Sequence, residues 1–289
     1  MAEDTMLTFK SNELCKFINK DEMREKAPFV FATAPTNPNT SKRYVFASTE
    51  TIIDDMAKLG WGVTECKQQR ANKRSNIKSF HMVAFQNPNV YITKEDENGN
   101  TIIDAFPRII LQNSHDGFHG FRFMIGMFRL VCSNGLIVAT EQFADIRMRH
   151  INYTFDDLRE VVAKAISQVG AQVITMNTMQ NTILTDEQKK DFAIKALRIR
   201  KGIKEEDKME VEDETISEIL EPTRNEDKGN DLWSVFNVIQ EKMIHGMFQH
   251  STKNRNGRRR KARAIKGIAK DTEINQGLYK TAMSYCMAA

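Results

Sequence analysis

The 289 residues, 40% hydrophobic and 28% charged, suffice for a full hydrophobic core, and no long low-complexity tract argues for disorder. The formal charge of +4 is slight, and no stretch reaches the roughly 20 apolar residues of a membrane span, so a folded protein without membrane attachment is expected. Cys15, Cys66, Cys132 and Cys286 are widely spaced, with no CxxC pair and no His/Cys ligand spacing, which argues against a zinc module or a disulfide framework and for reduced thiols in a cytoplasm. The acidic start MAEDTMLTFKSNELC lacks the basic and apolar regions of a signal peptide.

In chain order, the segment up to Lys26 predicts a short helix capped by Ser11, with Leu14, Phe17 and Ile18 on one face. Pro28, Pro35 and Pro38 punctuate the next stretch, where alternation around Phe29 and Phe31, and again from Tyr44 to Phe46, predicts two strands joined by a turn-rich loop. Ser48 or Thr49 can cap a helix in which Ile52, Ile53, Met56 and Leu59 share a face and Gly60 supplies the stop. The run WGVTECKQQRANKRSNIKSFHMVAF reads as two strands flanking a basic connection made of Lys67, Arg70, Lys73, Arg74 and Lys78. A hairpin follows, with its Asn-Gly turn between residues 90–93 and 101–106, because Asn and Gly tolerate the positive φ of a tight turn. Residues 107–112, 118–129 and 130–140 predict further strands, with Gly117, Gly120, Gly126 and Gly135 marking bends or bulges.

The period then changes. From 155 to about 179, Leu158, Val161, Val162, Ala165, Ile166 and Val169 recur at helical spacing behind a Thr154/Asp157 cap. Thr185 caps a helix with Phe192, Ile194, Leu197 and Ile199 on its apolar face. Leu232, Val235, Phe236, Ile239 and Met243 mark an amphipathic helix, and Ile274, Leu278 and Met283 a short closing one. The expected fold class is α+β: an antiparallel meandering sheet in the N-terminal half followed by a helical C-terminal half. Residues 1–150 are expected to form the sheet-rich core. Residues 151–289 form a helical region, with an acidic linker at 205–231 and a basic segment at 253–270, packed as one unit with that core.

The run IILQNSHDGFHGFRFMIGMFRLVCSNGL at 109–136 sets polar groups among apolar ones, and these must satisfy one another or face a ligand. His115, Asp116 and His119, with His150, invite a metal. Glycines interrupt them and no cysteine stands at ligand spacing, so a turn in which Asn113, Ser114 and Asp116 cap backbone groups is preferred. Cys132 beside His150 or His115 could be an activated nucleophile, yet it sits in an apolar strand as a small buried residue. No catalytic residue, metal or cofactor is expected. Arg122 and Arg129 lie seven residues apart and would share a strand face only if Gly126 formed a bulge. Arg129, Arg147 and Arg149, with Phe121, Phe123 and Phe128, offer the guanidinium groups and rings used on single strands. The alternative is that the phenylalanines are core and the arginines pair with Asp116, Asp145 or Asp156.

Charge is segregated along the chain. Residues 253–270 carry nine basic residues and no acid, whereas acids dominate 205–231. Arg258, Arg259, Arg260, Lys261, Arg263 and Lys266 are crowded enough to need a neutralising partner, either the phosphates of a nucleic acid or the chain's own acidic segment.

The string RLVCSNGL at 129–136, preceded by QNSHDGFHGFRF and followed by RMRH, resembles the phage/plasmid-like family called domain of unknown function 932. FAIKALRIRK, DLWSVFNVIQEKMIHG and the basic residues ahead of EINQGLY extend the resemblance over most of 40–285. It implies an origin on a phage, prophage or plasmid and carries no enzymatic role. A meandering sheet followed by long helices also resembles, more loosely, the single-strand annealing recombinases of phages.

The expected function is that of a cytoplasmic, non-enzymatic, self-associating protein that binds single-stranded DNA in phage recombination or replication. Its contacts would come from Lys67, Arg70, Lys73, Arg74, Arg122, Arg129, Arg147, Arg149 and the 258–266 cluster. The alternatives are a phage-encoded antagonist of host defence acting on a host protein, and a metal-dependent enzyme using His115, His119 and His150.

Overall fold

The computed structural model describes residues 11–40, 44, 46–69, 79–95, 99–119, 121–129, 135–136, 146–148, 154–224, 227–253 and 258–288. The chain divides into two compact units, Met1–Val169 and Gly170–Ala289, so the boundary falls beyond the expected residue 150.

In the first unit, helix α1 (Lys20–Lys26) begins at Asn19 with a reciprocal cap. The Asn19 side chain accepts from the Glu22 N–H and the Glu22 carboxylate accepts from the Asn19 N–H, each at 2.9 Å. Pro28–Phe31 form a 3-10 turn, not the predicted strand, because Pro28 presets φ for the first position of the turn. Residues 44 and 46–48 carry no strand either. Helix α2 (Thr49–Lys58) is capped by the Ser48 hydroxyl, which accepts from the Thr51 N–H at 3.2 Å, and the chain turns away from it at Gly60 with φ +82°.

Among the described residues, seven strands form one sheet with antiparallel pairing throughout: β1 (Gly62–Gln68), β2 (His81–Gln86), β3 (Ile92–Glu95), β4 (Thr101–Asn113), β5 (Phe121–Arg129), β6 (Gly135–Leu136) and β7 (Ile146–Met148). The order is β1-β2-β4-β5-β6, with β3 also on β4 and β7 also on β5. Two strands were expected at 101–106 and 107–112, but β4 is one strand of 13 residues running through Pro107. One edge of β4 pairs with β3 up to Ala105 and with β2 from Ile109, and Pro107 sits where that edge passes between partners. Along its other edge β4 stays in unbroken register with β5, from Ala105 opposite Arg129 to Gln112 opposite Arg122. Gly126 therefore makes no bulge in this pairing, and Arg122 and Arg129 occupy strand positions of opposite parity.

Alternation sorts the sheet into two faces. Val83, Phe85, Ile109, Leu111, Phe123 and Ile125 enter one core with Met23, Ile52, Met56 and Trp61, completed by Leu158, Val161 and Val162 of helix α3 (Phe155–Ser167). Phe123, considered as a stacking ring, is thus core. Met82, Ala84, Ile110 and Met124 on the other face are buried as well. That burial on both faces explains why β2 reads as a continuous apolar run.

The helix expected from 155 to 179 is two helices, α3 and α4 (Val169–Asn181), with the break at Gln168 beside helix-weakening Gly170. In the second unit, α5 (Asp186–Lys201) opens on a Thr185/Gln188 capping box and closes at Gly202 with φ +69°. The acidic linker contains an unexpected helix, α6 (Asp213–Leu220). Helix α7 (Leu232–His245) is not amphipathic in its surroundings: every residue from Leu232 to Met243 is buried. Phe236 stacks on Phe192 of α5 at 6.3 Å, and Gln240 donates to Asn275 at 2.9 Å on α8 (Ile268–Ala288), which at 21 residues is longer than predicted. Strands β8 (Gln249–Lys253) and β9 (Arg259–Lys261) pair antiparallel within the basic segment, for which no strand was predicted. No helix among the described residues is long and apolar enough to cross a membrane.

Candidate nucleic-acid interface

Polar residues at 113–116 are tied into a network with Thr49, Ser79 and His81. Thr49, the first residue of α2, is the hub. His81 Nδ1 donates to the Ser79 carbonyl at 2.5 Å, so Nε2 of the neutral ring is an acceptor and takes the Thr49 hydroxyl proton at 2.8 Å. Thr49 Oγ1 accepts from Asn113 Nδ2 at 2.9 Å and lies 3.4 Å from His115 Nε2. Burial keeps His81 neutral, its pKa pushed down to about 4. The Ser79 hydroxyl accepts from the His115 N–H at 2.7 Å, while the Asp116 carboxylate accepts from the Ser79 N–H at 3.2 Å, the Phe118 N–H at 3.0 Å and the Ser114 hydroxyl. Burial alone would raise the Asp116 pKa, but these donors and the nearby His119 outweigh it and hold the group below the usual carboxylate value.

Thr49, His81, Asn113, Ser114 and His115 are fully buried, so this network braces the β4–β5 connection from within the fold. Its geometry matches the capped turn preferred from sequence, whereas His81 and Thr49 were missed. His119 stacks on Phe80 at 4.4 Å, and among the described residues no group of three or more His, Cys, Asp or Glu could hold a metal ion. Cys132 and His150 lie outside the described residues.

Register brings three of the predicted cations into one line across the sheet. Lys67 lies opposite Met82, Met82 opposite Gln112, Gln112 opposite Arg122, and Arg122 opposite Arg147. Lys67 pairs with Glu65 at 2.7 Å, and Glu65 also takes buried Arg108 at 3.2 Å. Burial tends to raise the Glu65 pKa, but the two cations prevail and keep it ionised. Arg129 lies opposite Ala105, at the far end of β5 from this line. Arg70, Lys73, Arg74 and Arg149 lie outside the described residues.

In the second unit the basic segment is ordered by its own acids. The Arg259 side chain, only 9% exposed, reaches Glu214 at 2.9 Å, Glu218 at 3.0 Å and Glu212 at 3.8 Å. It also donates to Thr215 Oγ1 at 2.7 Å and to the Gln249 carbonyl at 3.0 Å. The chain's own acidic segment is therefore the partner of this arginine, pinning the hairpin to α6. Backbone bonds tie the following residues to the end of α7: Ala262 N–H to the Phe248 carbonyl at 2.9 Å and Ile265 N–H to the Ile244 carbonyl at 2.8 Å. Gly246, at φ +69°, lets the two segments meet, since a Cβ there would lie 2.7 Å from the Ala262 carbonyl oxygen. On this frame Arg258, Arg260, Lys261, Arg263 and Lys266 are exposed. Sequence reading missed Arg200, at the end of α5, which donates to the Arg263 carbonyl and lies over the Phe248 ring.

Residues 39–266 match the family model described as Domain of unknown function (DUF932). UPF0380 protein YfjQ of Escherichia coli (strain K12) is 29% identical over 263 residues, covering 91% of this chain and 89% of that protein. UPF0380 protein YafZ of the same organism is 29% identical over 265 residues, with the same coverage. No solved structure matches. These descriptions assign no reaction, ligand or partner. With its match spanning both compact units, the chain belongs to the DUF932 family.

Proposed function

We propose that this protein binds nucleic acid, single-stranded DNA foremost, through the outward side of the β8–β9 hairpin and the chain that follows it. The observation that carries this reading is the division of labour within the hairpin. Arg259 is neutralised by three glutamates, while Arg260, Lys261, Arg263 and Lys266 stand exposed on an ordered backbone. Exposed cations on an ordered backbone suit a polyanion, because releasing its condensed counterions supplies affinity and the backbone that carries them requires no further ordering. The line through Lys67, Arg122 and Arg147 is a second basic element, in the first unit.

Annealing or protection of single strands on a mobile element, by an oligomer in the cytoplasm, is the setting we propose. Mimicry of nucleic acid by the acidic segment is the weaker reading, because Glu212, Glu214 and Glu218 face Arg259. Fluorescence anisotropy with a labelled (dT)20 oligonucleotide, titrated over salt, tests the proposal. Three or four phosphate contacts predict that log K falls against log salt with a slope of about −2 to −3. No binding at low ionic strength, or binding indifferent to salt, contradicts it.

A further inference from the structure

Arg200 and His250 meet at the ring of Phe248, which directly precedes β8. The Arg200 guanidinium lies 5.5 Å from the centre of the Phe248 ring and donates through one terminal nitrogen to the Arg263 carbonyl. Its other terminal nitrogen, Nη1, is buried with no hydrogen-bond partner. His250 meets the same Phe248 ring edge-on at 5.3 Å, and its Nδ1 is likewise buried and unpartnered. Two such nitrogens around one ring are costly, since a buried donor with its hydrogen bond unmade forfeits the water it gave up. Burial, with no acid acting against it, lowers the Arg200 pKa. Burial, Lys201 and Arg200 in turn lower that of His250. The cluster thus combines positive potential with unused hydrogen-bonding capacity.

We infer that Arg200, His250 and Lys201 form an anion site that takes a phosphate group. A phosphate oxygen can accept from Arg200 Nη1 and from the Nδ1–H of neutral His250, with exposed Lys201 adding charge at the rim and the Phe248 ring beside the guanidinium. Entry requires a side-chain rotation at the surface of the cluster. The inference rests on the nucleic-acid reading for the source of the phosphate. Arg200 is bonded to the backbone of Arg263, so the site adjoins the exposed cations and would seat one phosphate of the strand they follow.

Two probes separate the site from that reading. Inorganic phosphate replacing chloride at constant ionic strength should raise the thermal midpoint of the full chain, and Arg200→Gln should abolish the rise. For (dT)20, Arg200→Gln and His250→Gln should each weaken binding about tenfold, the scale of one charge-assisted hydrogen bond. Wild-type (dT)20 affinity in both variants overturns the site while leaving the hairpin reading intact. A phosphate effect that Arg200→Gln removes, in a protein that does not bind (dT)20, upholds the anion site and overturns nucleic acid as its source. If Arg200→Gln does not fold, His250→Gln decides alone: unchanged affinity for (dT)20 and an unchanged response to phosphate overturn the inference.

Discussion

At the scale of single residues, the Thr49 hydroxyl holds the most consequential position. It gives its one proton to His81 and accepts from Asn113, so Thr49→Val strands the buried His81 nitrogen and leaves the Asn113 amide with its bond to the Ala47 carbonyl alone. The expected loss is about 2–3 kcal/mol, measurable by urea denaturation. A change below 0.5 kcal/mol would show that the network relaxes around the missing hydroxyl. His81 sets a pH dependence of definite sign. It is neutral when folded, with a pKa of about 4, and regains an ordinary value near 6.5 when unfolded. The unfolded chain therefore binds more protons between those limits, and stability falls as pH drops from 6.5 towards 4, by about 3 kcal/mol over the window. Asp116, held below the ordinary aspartate value, loses its contribution only at still lower pH. Denaturant midpoints of His81→Gln should be flatter between pH 6.5 and 4 than those of the wild type, and parallel curves would contradict the assignment.

At the scale of elements, the helix starts at Ser48, Thr154 and Thr185 were legible because capping is local: a hydroxyl and the residues just after it decide the geometry. The strands misread at Phe29–Phe31 and the long helix divided at Gln168 show the opposite case, in which alternation or periodicity alone cannot report a turn or a break. The β8–β9 hairpin was illegible for a different reason. Its apparent self-repulsion is relieved by α6, whose glutamates lie some 40 residues earlier in sequence, as the separation of 41 positions in the Arg259–Glu218 contact shows. That pairing predicts unlike outcomes for neighbouring arginines. Arg259→Ala should destabilise the protein by about 1–2 kcal/mol, a modest figure because the carboxylates remain partly in water. Arg260→Ala should leave stability within about 0.5 kcal/mol. Equal thermal midpoints for the two variants would remove Arg259 from its role as anchor.

At the scale of the whole molecule, the sequence divides by composition into a strand-rich and a helix-rich half, and that much of the α+β architecture was readable before any coordinates. The exact partition was not, because α3 has helical periodicity like its successors and only its packing against the sheet places Leu158, Val161 and Val162 in the first core. Of the predicted cations, sequence identified the types, the crowding and the acidic segment as one of two partners, but not which residue pairs with which. Lys67 and Arg259 have glutamate partners, whereas Arg200 and His250, which a scan for basic runs passes over, share a site formed only by folding. The second unit has its own buried helix, α7, so residues 170–289 expressed alone should unfold cooperatively. Non-cooperative melting would show that the core around α7 is insufficient. The central claim is that the exposed hairpin cations, and not the anchored one, hold nucleic acid. Its most direct test is the affinity of the Arg260→Ala, Arg263→Ala, Lys266→Ala triple variant for (dT)20 over a salt series, read beside its thermal midpoint. The account predicts a wild-type midpoint with a salt slope shallower by about 2, and wild-type affinity and slope in that variant would contradict it.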